Sequence, residues 1–206
     1  MITIGILGAL MLNNWNETQK ANRFEKEILF LIDQNLQRDY DLLSEELFKA
    51  KQGNAQTDKL LEQVALKNYG DSLNHWMGKI ISFERFKSQS SAFEVLKARG
   101  IESISDKNLQ LALISYYDVD LFEVYQSLDD VEYSFNSDWI PVIKANFSNF
   151  TWLTYHEPLD SKAFFENPSN IVLFKLFKDN REGSVRNIES ALQNINAIRT
   201  QIKMQL

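Results

Sequence analysis

The sequence predicts an all-α protein: an elongated antiparallel helical bundle whose long N-terminal helix continues out of a truncated transmembrane segment. Three observations carry this expectation. Apolar residues recur at three- and four-residue steps through most of the chain. Only seven glycines and three prolines interrupt 206 residues. The chain also opens on an apolar run, Ile2 to Leu12, that stops abruptly at Asn13-Asn14-Trp15-Asn16-Glu17. With 44% apolar and 12% aromatic residues, a chain of this length has ample material for a core.

The elements follow in order. A helix of twelve residues reaches about 18 Å, whereas a bilayer core is about 30 Å thick, so the opening run is too short to span by itself. No Lys or Arg precedes it and no small-residue cleavage site follows, which disfavours a signal peptide. A buried core helix and the C-terminal part of a transmembrane helix remain. Asn13, Asn14 and Trp15 stand where a membrane interface would lie, with Lys20 and Arg23 just beyond. Gly5 and Ala9 have the small-xxx-small spacing that lets two such helices approach closely. From Trp15 the helical pattern runs through Phe24, Ile28, Leu31, Ile32, Leu36, Leu43 and Leu47, and is expected to stop at Gly53-Asn54. Thr57-Asp58 then caps a second helix, making an antiparallel hairpin with the first.

Residues 74–86 read as a short helix or aromatic connector. Ser91 and Glu94 fit a capping box for a helix over 91–99, and Gly100 is placed to end it. Ser105-Asp106 opens the longest central helix, with Leu109, Leu113, Tyr116, Tyr117, Leu121, Val124 and Leu128 on one face; Pro141 should kink or end it. Residues 146–160 are aromatic and lack a period, which suggests an ordered loop. Asn167-Pro168 matches an N-cap with proline at the first helical position. The last helix carries Val185, Ile188, Leu192, Ile195, Ile198, Ile202 and Leu206 in a near-heptad seam expected to pack along the first helix and to favour a homo-oligomer. No repeat or flexible linker divides the chain, so residues 1–14 are expected to be the end of the anchor and 15–206 a single helical domain.

Two strings carry a resemblance. Ile4-Gly-Ile-Leu-Gly-Ala-Leu-Met-Leu-Asn13-Asn14-Trp15-Asn16-Glu17 resembles the IGILIALxINNWNE-type anchor of a family of uncharacterised bacterial proteins common in Bacteroidota. Ala92-Phe-Glu-Val-Leu-Lys-Ala-Arg-Gly100, followed by Ile104, Leu109 and Ile114-Ser-Tyr-Tyr117, is similar to that family's YEELKSSGNLxLIxNxxLxxxIxxYY stretch, although Ala98-Arg99 replace two small polar residues. The resemblance implies a single-pass inner-membrane protein whose bulk is a helical, periplasmic domain of unknown function.

Composition excludes much. A formal charge of −6 offers no basic field for nucleic acid. Zero cysteines remove thiolate chemistry, disulfides and cysteine-ligated metal, and only two histidines, His75 and His156, are present. No phosphate loop, dinucleotide fingerprint or serine-hydrolase elbow occurs, so no cofactor and no metal site is expected. The acidic stretch from Asp118 to Glu132 lacks the spacing of a calcium loop and reads as a solvated face. Arg85, Lys87, Lys97 and Arg99 read as ordinary surface.

The candidate binding residues are Tyr116 and Tyr117, one of which could offer its hydroxyl to a groove, and Trp152, Tyr155 and His156, a possible pocket rim. The first functional expectation is a non-enzymatic, membrane-tethered extracytoplasmic module that binds a small ligand or an envelope protein, with the lipid bilayer as partner of its N-terminal segment. The alternative is a soluble helical protein with a hydrolase-like site around 150–157, in which the apolar start packs into the core.

Overall fold

The structure, a computed structural model, describes residues 2–206, with side chains from Met11 onward. Helix takes 81% of the chain and strand 5%, so the all-α class and the long N-terminal helix both hold. Among the described residues no helix is long and apolar enough to cross a membrane. The Gly5/Ala9 contact lies outside the described side chains.

Helix α1 spans Ile2–Ala65 and does not stop at Gly53. Gly53 is buried, and a Cβ there would lie 2.8 Å from Nη1 of Arg181 and 3.3 Å from the Lys79 carbonyl. This glycine is therefore a close-packing position and not a terminator, and the expected hairpin of helices at 53–57 does not form. The helix ends instead at a C-terminal motif in which Asn68 N–H donates to Gln63 O and Lys67 N–H to Val64 O, with Lys67 at φ +55°.

After α2 (Ser72–Ile80), residues 82–90 run without regular structure to α3 (Ser91–Arg99). The capping box is not formed. Ser90 stands at the N-cap without a side-chain bond, while the Asn35 amide oxygen accepts from Ala92 N–H at 3.1 Å. Gly100 ends α3 at φ +112°, a region closed to most side chains. Asp106 caps α4 (Lys107–Ile114) by accepting from Asn108 and Leu109 N–H.

The central helix is interrupted by two wide π turns, Ser115–Asp120 and Phe135–Trp139, on either side of α5 (Leu121–Ser134). Pro141 does not end it. Ile140 N–H reaches back five residues to Phe135 O, and this widened turn takes up the proline that a regular turn could not, so α6 (Ile140–Asn146) continues.

The expected loop at 146–160 is a β-hairpin, β1 (Phe147–Thr151) with β2 (Tyr155–Pro158), antiparallel with a bulge near Ser148. Its period was hidden because β1 is exposed at nearly every position, so no apolar/polar alternation marks it. Asp160 caps α7 (Ser161–Glu166). Asn167 accepts from Ser169 N–H and opens α8, Pro168–Lys203, which runs unbroken through Gly183 where two helices were expected.

The described residues fall into two compact units. One comprises residues up to Tyr40, 88–119 and 193–206. Its buried residues include Ile28, Ile32 and Leu36 of α1, Phe93 and Leu96 of α3, Leu109 and Leu113 of α4, and Ile195, Ile198 and Ile202 of α8. Here α8 does pack on α1, with Arg199 Nε donating to Asp33 at 2.7 Å. Buried Asp39 accepts from Ser88 Oγ, Gln89 N–H and, at 2.9 Å, Tyr116 OH. Burial raises the Asp39 pKa while these donors pull it back down.

The other unit comprises residues 41–87 and 120–192. Its core is strongly aromatic: Phe135, Trp139, Phe164, Phe165, Phe174 and Phe177 close over Leu60, Met77 and Ile80. The Trp139 ring meets Phe174 edge-on at 4.8 Å, a preferred aromatic geometry.

Candidate functional site

The site is built from a charged pair buried under an aromatic cleft in the second unit. Arg181 lies on the stripe Phe174, Phe177, Arg181, Ser184, Ile188 of α8 and is fully buried. Its Nη2 donates to the Ser82 carbonyl, and its Nε lies 3.4 Å from Oε1 of Glu84, itself only 4% exposed. The bare backbone of Gly53 leaves the space its guanidinium needs. Burial raises the pKa of Glu84 and lowers that of Arg181, and each charge opposes the shift of the other.

Glu84 also lines an open cleft of about 530 Å³. Its apolar wall is a trio of rings, Phe83, Phe135 and Trp152, with centroids 5.1–5.3 Å apart in tilted and edge-on contacts. Leu153 completes that wall, and Glu46, Lys49 and Arg85 form the charged rim. Arg85 is tied to Glu132 and stands with its guanidinium carbon 4.9 Å from the centre of the Phe83 ring.

The hairpin tip positions Trp152. Thr154 N–H donates to Thr151 O across a turn in which Leu153 adopts φ +61°, a conformation that costs a residue of this kind about 1–3 kcal/mol. The hairpin is seated by Gly78 of α2, where a Cβ would lie 2.6 Å from both Thr154 O and Tyr155 N. Tyr155 OH donates to Asp71 at 2.9 Å and accepts from Asn74 at 3.2 Å, and its ring meets His75 edge-on at 4.9 Å.

The five predicted binding residues are therefore distributed unevenly. Trp152 lies on the cleft wall, 39% exposed. Tyr155 is half-buried on the same hairpin, engaged with α2. His156 is fully buried, stacked on Phe150 at 4.0 Å, and neither ring nitrogen has a hydrogen bond among the described residues. Burial lowers its pKa to about 4 against the opposing effect of the Met77 carbonyl, so the ring is neutral at pH 7 and out of solvent reach. Tyr116 and Tyr117 belong to the first unit and both are buried. The π turn carries both rings inward in an edge-on pair 4.9 Å apart, so neither hydroxyl is left for a groove. Tyr117 stacks on Phe93 at 4.2 Å and its hydroxyl has no hydrogen-bond partner among the described residues.

At the other end of α1, every residue from Met11 to Arg23 is exposed, including Asn13, Asn14 and Trp15. Among the described residues no group of three His, Asp or Glu is placed to hold a metal ion.

Sequence reasoning missed Phe83, Glu84, Phe135 and Arg181 as site residues. A signal existed: Phe83-Glu84-Arg85-Phe86 puts charges inside an aromatic connector, and Arg181 occupies an inward position of a helical stripe whose neighbours are all apolar or small. No protein-family model, no curated protein and no solved structure matches this chain.

Proposed function

We propose that this chain is a non-enzymatic binding module of a bacterial cell envelope, tethered by its N-terminal apolar segment and binding its ligand in the cleft walled by Phe83, Phe135 and Trp152. The observation that carries the reading is the cleft itself. A partly exposed tryptophan and two phenylalanines form an apolar wall beside a nearly buried carboxylate and a charged rim, the mix of apolar surface and converging polar groups found in ligand sites. Membrane attachment draws support from Met11, Leu12 and Trp15, exposed at 73%, 69% and 62% in direct continuation of the apolar run, with Trp15 where an interfacial aromatic would stand. The hydrolase reading around 150–157 loses its base, because a fully buried His156 reaches no substrate proton.

The tether is tested in cells. With no native cysteine, a single Gln193→Cys substitution at an exposed position of α8 provides a unique label site. Labelling of intact cells by an impermeant maleimide, together with carbonate-resistant membrane retention, is the expected result. Absence of outside labelling with the protein in the soluble fraction would overturn the envelope reading.

A further inference from the structure

The charges that line the cleft cancel. Its lining holds two acids, Glu46 and Glu84, and two bases, Lys49 and Arg85. Each has a partner. Lys49 binds Glu46 at 2.9 Å and also Glu45 at 2.8 Å, Arg85 donates through Nε and Nη2 to Glu132, and Glu84 faces the fully buried Arg181. Arg181 also pins the wall, because it donates to the Ser82 carbonyl on one side of Phe83 and pairs with Glu84 on the other. What is left over at the rim is donors. Lys49 spends two of its three N–H groups on Glu45 and Glu46, and Arg85 spends Nε and Nη2 on Glu132, so the third ammonium N–H and Nη1 have no acceptor among the described residues.

We infer that the cleft takes an uncharged molecule with a flat apolar ring and a hydrogen-bond acceptor, the ring against Phe83, Phe135 and Trp152 and the acceptor toward Lys49 and Arg85. The three rings already meet edge-on or tilted, and a further flat ring extends that arrangement. A neutral oxygen can use the leftover N–H groups without breaking an ion pair. A charged ligand gives up its water on entering and finds each counter-charge taken. A carboxylate must displace Glu46 or Glu132 from its cation, and an ammonium has no lone pair to offer the rim donors. This inference rests on the cleft being the binding site, and the test separates the two.

The test titrates the full chain with 2-phenylethanol, 2-phenylethylammonium and 3-phenylpropanoate, followed by calorimetry and by tryptophan fluorescence in the wild type and in Trp152→Phe. The alcohol is expected to bind at least about tenfold tighter than either ion, which pays for its lost water without a free counter-charge. Two variants upset the balance through partly exposed pairs, where the fold has little at stake. Lys49→Met leaves Glu46 unmatched and should bring the ammonium level with the alcohol or ahead of it; Glu132→Gln releases Arg85 and should do the same for the propanoate. Either ion binding the wild type as tightly as the alcohol, or an order unchanged in both variants, overturns the uncharged-ligand inference and leaves the cleft standing. No binding of any of the three, or binding that leaves the Trp152 fluorescence unmoved, overturns both.

Discussion

Replacing Gly78 by alanine should destabilise the protein, although Gly78 lies inside a helix, where alanine is favoured by about 1 kcal/mol on propensity alone. The added methyl would lie 2.6 Å from Thr154 O and from Tyr155 N, and closer still to the Thr154 carbonyl carbon. These are backbone atoms held by the hairpin, so no rotamer change relieves the overlap and α2 and β2 must separate. Overpacking of this kind costs about 1–3 kcal/mol, and rigid neighbours put it at the upper end, so a net loss of about 2 kcal/mol is expected after the propensity gain. Urea unfolding followed by circular dichroism measures it. Gly183→Ala is the matched control, because a Cβ there meets only the end of the Arg186 side chain, at 3.9 Å, and the substitution should stabilise by up to about 1 kcal/mol. If Gly78→Ala stabilises as much as Gly183→Ala, the seating of the hairpin on α2 is wrong, and with it the placement of Trp152.

The adjacent tyrosines should respond in opposite directions. Tyr116→Phe removes a donor from buried Asp39 and should cost about 1.5–3 kcal/mol, whereas Tyr117→Phe deletes a buried hydroxyl without a partner and should leave stability unchanged or raised, both read from urea midpoints. Arg181→Met leaves Glu84 buried and unpaired, an expected loss of about 3–5 kcal/mol; adding Glu84→Gln should restore most of it, and failure to do so would deny the pairing. His156 binds its proton more weakly when folded than its ordinary pKa of 6.5, so between pH 6.5 and about 4 the unfolded state holds more protons and stability falls as the pH falls. That slope amounts to about 3 kcal/mol, and His156→Leu should flatten it; an unchanged difference between pH 7 and pH 4 would show that the ring is not buried.

The helical class was legible because its signal is periodic and local. Ile28, Ile32 and Leu36 announce α1, Asp106 and Asn167 announce their caps, and Gly100 marks a stop that its positive φ then requires. Gly53 misled because glycine has two uses, ending a helix and admitting a close neighbour, and only Arg181, 128 positions away, distinguishes them. The hairpin escaped for a related reason. Its strands are short and β1 is exposed, so nothing in residues 147–158 alone separates strand from loop. The site was legible only at Trp152. Glu84 and Arg181 find each other through tertiary packing, and His156, attractive in sequence as a rim residue, is carried inward by a strand register that sequence did not supply.

The most direct measurement uses 5-fluorotryptophan and one-dimensional fluorine NMR of the full chain, since three of its four tryptophans stand in separate places that the reading distinguishes. Trp15 stands exposed beyond the apolar run, Trp139 is fully buried, and Trp152 lines the cleft. Vesicles of anionic phospholipid should broaden the Trp15 resonance and leave Trp152 in place. Adding 2-phenylethanol, an apolar ring with one polar end, should shift Trp152 and leave Trp15 and Trp139 unmoved. A Trp15 signal indifferent to lipid would contradict the tether, and a Trp152 signal indifferent to 2-phenylethanol would contradict the cleft as the place where this protein binds.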